Sequence, residues 1–190
     1  AELPSASVSG LQNPVAEGWT AWASNSAAIS IRGDRISLQK TATTNSYWQQ
    51  KLPAGGFEGL ITQMQVGVTS YTLGADQFIG VFVTGTPAQR AVTTQLGETG
   101  GVPSVLLVDE NSTVVASFPF DFTDGEIHTY RTIIDPVADI VVVKADDQVL
   151  GSAAHTSFAL LGVQSRCMFG AMGNAAVASV WESVTVHPLR

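Results

Sequence analysis

The segment from Glu58 to Val68 alternates in period two along its whole length, and that rhythm commits the chain to strands. Leu60, Thr62, Met64, Val66 and Val68 fall on one side, and Ile61, Gln63, Gln65 and Gly67 on the other. Successive side chains of a strand point to opposite faces, so the apolar row is expected against a core and the amide row away from it. Helical spacing is absent almost everywhere else. Short β-branched runs are instead punctuated by Gly, Asp, Asn and Pro.

Ala27 to Lys40 reads as a hairpin turning at Gly33-Asp34, and Tyr47 to Lys51 as a short strand ended by Pro53 and Gly55-Gly56. Phe78 to Thr84 is apolar on both faces and is expected at the centre of a sheet. Val92 to Leu96 is a weaker strand. Ser104 to Val108 and Thr113 to Phe118 form a hairpin around Asp109-Glu110-Asn111-Ser112. Ile127 to Ile134, Asp139 to Ala145, Gln148 to Ser152, Arg166 to Met172 and Val177 to His187 complete the strands. A short helix is expected within His155 to Leu161. The first dozen residues, with Pro4 among them and Pro14 just beyond, read as an arm or as a strand crossing the others. About a dozen strands in one domain imply two sheets packed face to face. Residues 1–190 contain no linker, repeat or low-complexity tract, so one domain is expected.

Composition narrows the function classes. Charged residues make up only 13% of the 190, and the net charge is −7. That charged share is about half the usual quarter. The nine basic residues are dispersed, so no stripe neutralises phosphates, and neither nucleic acid nor an anionic membrane is an expected partner. No run of 18 apolar residues forms a membrane span. The single cysteine, Cys167, excludes an internal disulfide and reads as a small buried hydrophobe. The chain begins at Ala1 rather than Met, consistent with a mature secreted form or a trimmed one. A surface rich in Thr, Ser, Gly and Gln suits a secreted or extracellular setting.

The stretch Asp124-Gly-Glu-Ile-His-Thr-Tyr-Arg-Thr-Ile-Ile-Asp135, followed by Asp139-Ile-Val-Val-Val-Lys-Ala-Asp-Asp-Gln-Val-Leu-Gly151, resembles the concanavalin-A-like lectin/glucanase and laminin-G superfamily. Members carry a His-x-Tyr/Phe strand running to an Asp, then a strand, an Asp-Gly or Asn-Gly turn and a short return strand. Phe169-Gly170 through Trp181-Glu-Ser-Val-Thr-Val186 resembles the closing strands of that group, which return beside the N-terminal one. Among relatives the chain looks most like the lectin-like accessory domains of bacterial sialidases. The resemblance covers the second half well and the first half in rhythm. It implies a two-sheet antiparallel jelly-roll sandwich, and its motifs are folding signals rather than binding signals. One departure stands out: Asp147-Gln148 occupies the place of the usual turn, so a longer turn is expected.

Chemistry is sparse. Glycosidases of this fold place alternating carboxylates on one strand, and no Glu-x-Asp-x-x-Glu pattern occurs. Asp109 and Glu110 are adjacent, and Glu182 has no carboxylate two or four residues away. No nucleophile elbow, zinc spacing or phosphate loop is present. His128 is expected as a strand residue hydrogen-bonded at the sandwich edge, and His155 and His187 as loop residues. Asp121, Asp124 and Glu126 form the densest acidic cluster, either a calcium site, since that ion takes six to eight oxygens, or a solvated turn.

Sugars stack on aromatic faces and hydrogen-bond to planar side chains. Trp48, Gln50, Gln63, Gln65 and Tyr71 fit that vocabulary and are the candidate ligand-binding residues; Gln49, Trp19 and Trp22 also qualify by type, and Trp181 reads as core. Three functions remain compatible: a non-catalytic carbohydrate-binding domain, a structural or interaction module (homo-oligomeric or attached to a catalytic domain), and a hydrolase or lyase with unfamiliar residues. The missing acid pair ranks them in that order.

Overall fold

The computed structural model describes residues 6–10, 13–22, 29–41, 45–52, 59–75, 77–86, 89–109, 113–135, 138–154 and 166–189. In chain order the strands are β1 (Ala6–Val8), β2 (Thr20–Trp22), β3 (Ile29–Arg32), β4 (Arg35–Lys40), β5 (Ser46–Lys51), β6 (Gly59–Ser70), β7 (Gln77–Thr86), β8 (Gln89–Thr99), β9 (Val102–Val108), β10 (Val114–Pro119), β11 (Ile127–Asp135), β12 (Ile140–Ala145), β13 (Gln148–Ala154), β14 (Arg166–Gly173) and β15 (Val177–Leu189). The helical content among the described residues is a single 3-10 turn, Pro14–Glu17. No helix there is long and apolar enough to cross a membrane. The expected helix within His155 to Leu161 lies outside the described residues.

The strands form two antiparallel sheets. Sheet A runs β13-β12-β11-β6-β15-β4-β3, with β1 also on β15; sheet B runs β10-β9-β8-β7-β14-β5-β2. The arm at the N-terminus therefore contributes a short strand, Ala6 opposite Val186 and Val8 opposite Val184, beside the closing strand. β7 lies between β8 and β14, the central place its two-sided apolarity predicts.

Alternation builds the core. Leu60, Met64, Val66 and Val68 of β6 are buried, as are Ile79, Val81 and Val83 of β7, Val105 and Leu107 of β9, and Val141 and Val143 of β12. Thr62, Thr94 and Thr132 occupy inward positions despite their hydroxyls. Thr94 of sheet B and Thr132 of sheet A hydrogen-bond to each other across the interior at 2.6 Å, so neither is left unsatisfied. Gly80 of β7 has no room for a side chain. A Cβ there would lie 2.1 Å from the Thr94 carbonyl oxygen.

One turn and one irregularity of pairing have physical reasons. The β12–β13 turn is not longer than usual. Ala145 pairs with Gln148, leaving the two residues Asp146 and Asp147, with φ of 48° and 65°. Aspartate tolerates the left-handed region better than most residues. Asp146 is also held by Thr129, accepting its N–H on Oδ1 at 2.9 Å and donating its own N–H to the Thr129 carbonyl at 2.9 Å. A glycine could not make the first of these bonds. In β15 the register slips between Trp181 and Ser183, leaving Glu182 as an extra residue. Its carboxylate pairs with Arg35 at 2.8 Å.

Candidate functional site

The five candidate ligand residues do not form one site. Trp48 is not a platform: it is 3% exposed, and its ring stacks on Phe169 with centroids 5.4 Å apart. Its place in β5 puts it on the inward row with Ser46. Phe169 also meets Trp19 edge-on and lies tilted against Trp181. Four large rings thus occupy one part of the core, and Trp19 too is buried. Tyr71, just past β6, is half-buried and meets Phe122 edge-on, which ties it to packing at the sandwich end.

Gln63 and Gln65 do stand on the outward row of sheet A, and period two is sufficient to place them. Register then decides their neighbours. Gln63 lies between Arg131 of β11 and Thr185 of β15. Its Oε1 accepts from Arg131 Nε at 3.0 Å and Nη2 at 2.7 Å. Gln65 lies between Thr129 and Ser183, accepting from the Ser183 hydroxyl at 2.6 Å and donating weakly to Thr129 at 3.4 Å. A shallow trough of about 250 Å³ opens over Ile61, Gln63, Arg131, Ile133, Thr185 and His187. His187 is a strand residue here, not a loop residue, because β15 runs on to Leu189.

Gln50 belongs to a different trough, at the other sheet. There β5 runs between β14 and β2, and Gly18, Thr20, Gln49, Gln50, Lys51 and Arg166 surround about 420 Å³ of open space. Arg166 Nη1 donates to Gln49 Oε1 at 3.2 Å. Gln50 Oε1 is buried and accepts no hydrogen bond among the described residues. A desolvated carbonyl oxygen left unpaired costs about 1–3 kcal/mol. Cross-strand register also places Trp22 opposite Tyr47, two pairs along from Thr20 and Gln49.

The acidic turn does not converge on a cation. Asp121 Oδ1 accepts from the Thr123 amide at 3.0 Å and hydroxyl at 2.7 Å, and these bonds lower its pKa. Asp124 accepts from the Glu126 amide at 2.9 Å, while the Glu126 residue itself is exposed. Among the described residues no group of three or more His, Cys, Asp or Glu side chains is arranged to hold a metal. Of the two readings of Asp121, Asp124 and Glu126, a calcium site or a solvated turn, the described contacts fit the second, as two Asp-capped turns.

What the turn does build is a clamp. His128 Nδ1 lies 2.6 Å from Asp146 Oδ2, and its Nε2 lies 3.1 Å from Asp124 Oδ2. Carboxylates only accept, so donating to both requires the imidazolium. Burial opposes that charge, but the hydrogen bonds to Asp146 and Asp124 and their charges outweigh it and raise the pKa. Phe120 meets the ring edge-on. The clamp joins the turn before β11 to the β12–β13 turn, a structural role. Tyr130, behind it, is pushed up by burial and by the nearby charges of Asp146, Asp124 and Asp121. Cys167 is fully buried, with its thiol pushed up to about 12 by burial, which leaves it without the thiolate character a nucleophile needs.

Sequence reasoning missed Arg131, Thr185, Thr20 and Arg166. Arg131 shares the outward parity of Ile133, which was legible. Its meeting with Gln63 depends on strand order, which was not.

No family model and no curated protein sequence matches the chain. Solved structures do. The carbohydrate recognition domain of Emp46p in its potassium-bound form superposes with a TM-score of 0.68 at 14% identity, covering 97% of this chain and 95% of that one. A lectin from Bauhinia forficata in complex with GalNAc gives 0.66 at 12%, covering 99% and 98%. Alginate lyase AlgAT5 of polysaccharide lyase family 7 gives 0.61 at 10%, covering 87% and 84%. Such low identities carry the architecture and not the chemistry. Two antiparallel sheets, the closing strand beside the N-terminal one and these superpositions together show that the chain has the concanavalin-A-like jelly-roll fold.

Proposed function

We propose that this chain is a non-catalytic carbohydrate-binding domain acting outside the cell, and that its site is the trough where β5 runs between β2 and β14. The observation that carries the reading is the open trough that Gln50 lines beside the Gln49–Arg166 pair, Thr20 and Lys51, with the buried Gln50 Oε1 unpaired among the described residues. Guanidinium, amide and threonine hydroxyl give the trough a planar polar lining of the kind sugars use, and a turn of the Gln50 side chain brings its unpaired oxygen out to a sugar hydroxyl. The outward amides of sheet A are weaker candidates for the same role, since Gln63 Oε1 already accepts two bonds. Carbohydrate-binding proteins among the structural neighbours support the reading at the level of fold. A low-charge, hydroxyl- and amide-rich surface supports the extracellular setting.

The test is a glycan array followed by titration of each hit into the parent, Gln50→Ala and Arg166→Ala proteins. Losing the bond to Gln50 weakens binding about tenfold or more, while the melting temperature stays level or rises because the unpaired acceptor is gone. An array without hits, or hits bound equally by both variants, would overturn the proposal.

A second reading, an interaction module, draws on one observation. Val114 and Val115 of β10 are 48% and 43% exposed, and Val149 of β13 is 61% exposed. These are edge strands of the two sheets, and they contact each other on one side of the sandwich. A mass that rises with concentration and returns to the monomer value on Val115→Lys would favour that reading.

A further inference from the structure

We propose that the outward face of sheet A holds a second site, distinct from the Gln50 trough, that takes a carboxylate-bearing saccharide of the uronic acid class. Three observations carry it. First, Arg131 and Lys144 are direct cross-strand partners on β11 and β12, both half-buried, in a chain whose net charge is −7. Second, neither has an acidic partner among the described residues. Among these residues Arg131 is held only by the neutral Gln63 Oε1, through Nε and Nη2, and Lys144 has no hydrogen bond or ion pair. The Gln63 bonds fix the guanidinium plane and leave both N–H groups of Nη1 and one of Nη2 to donate. Third, the space beside it is the trough of about 250 Å³ floored by Ile61 and Ile133 and edged by Thr185 and His187.

Each part selects for something in the ligand. A guanidinium already oriented by one amide matches a carboxylate in two-bond geometry better than it matches a point charge. Ile61 and Ile133 are directly opposed across β6 and β11, and Ile133 faces Val142 across β12. This aliphatic row suits the C–H face of a sugar ring. Thr185 and Gln63 supply hydrogen-bonding edges for hydroxyls. A bare inorganic anion would leave the aliphatic floor unused, and a fatty acid would leave the polar edge unpaired. The other charged group of this row of β11, Asp135, lies at the far end of the strand, four residues from Arg131, and its Oδ1 accepts from the Ala138 amide.

The test is an amide-resolved NMR titration of the full chain with D-glucuronate, D-glucose and acetate as separate probes, repeated with Arg131→Gln, Arg131→Lys and Gln50→Ala proteins. Glucuronate is expected to shift Ile61, Gln63, Arg131, Ile133 and Thr185 saturably, and more tightly than acetate or glucose. Arg131→Gln weakens it about tenfold or more. Arg131→Lys, which keeps charge and fold but loses the fork, also weakens it. Gln50→Ala leaves it unchanged, so failure at one trough is separable from failure at the other. Absence of shifts at these residues would sink the proposal. So would equal binding of acetate, which marks a bare anion site, equal binding of glucose, or parent-like binding by Arg131→Lys.

Discussion

Replacing Trp48 by Ala separates a core ring from a sugar platform, and the structure sets the size of the effect. The side chain is 3% exposed and stacks on Phe169 at 5.4 Å. An aromatic side chain buries about 150–250 Å², which at roughly 25 cal/mol per Å² is worth about 4–6 kcal/mol. Measured aromatic-to-alanine losses in cores run about 3–5 kcal/mol, since neighbours partly collapse into the space. Here collapse is limited, because Phe169 is also fixed by Trp19 and Trp181. For a domain of this length each kcal/mol moves the midpoint by about 2–4 °C, so Trp48→Ala should melt about 6–20 °C below the parent. Circular dichroism melts and urea titrations measure the loss, with Trp48→Phe as a control that keeps a ring on Phe169 and loses less. A Trp48→Ala protein melting within about 2 °C of the parent would refute the packing argument. If that protein also lost sugar binding, Trp48 would be a platform after all.

Three other outcomes follow from the same structure. His128 has a folded-state pKa raised above its ordinary 6.5, so its stabilisation is fully present below about pH 6.5 and fades as pH rises through the folded value. Urea midpoints at pH 6 and pH 8 should differ in that direction, and His128→Asn should remove this component of the difference; a parent that is more stable at pH 8, with His128→Asn unchanged in slope, refutes the clamp. Gly80→Ala must displace the Thr94 carbonyl, 2.1 Å from the new Cβ, and should lose several kcal/mol or fail to accumulate as folded protein; a melt like the parent's would show that β7 and β8 can separate there. Cys167, buried with its thiol pushed up to about 12, should resist a thiol reagent until urea unfolds the chain, whereas rapid labelling of native protein would place it at the surface.

Legibility in the sequence followed the range of the interactions concerned. The β3–β4, β9–β10 and β12–β13 hairpins were readable because turn residues and alternation are local, although β8 proved longer than Val92 to Leu96. The length of the β12–β13 turn was misread because the bonds that favour Asp146 come from Thr129, 17 residues earlier. Gln63 and Gln65 were placed outward correctly by parity alone. Trp48 was misjudged because β5 is too short for its alternation to declare a face: Trp48 follows Tyr47 and precedes two glutamines, and only packing on Phe169 shows which side is inward.

Period-two alternation and turn chemistry, both properties of neighbouring residues, determined that this chain would build strands, turn where it does and bury one row of each. Which strands became neighbours outside the hairpins was decided by the tertiary structure alone. Burial tells a side chain to leave water but not which partner to meet. The union of Gln63 with Arg131 and the trough that Gln50 lines with Arg166 arose from register between strands far apart in the chain, and that of His128 with Asp146 from the packing of one turn against another.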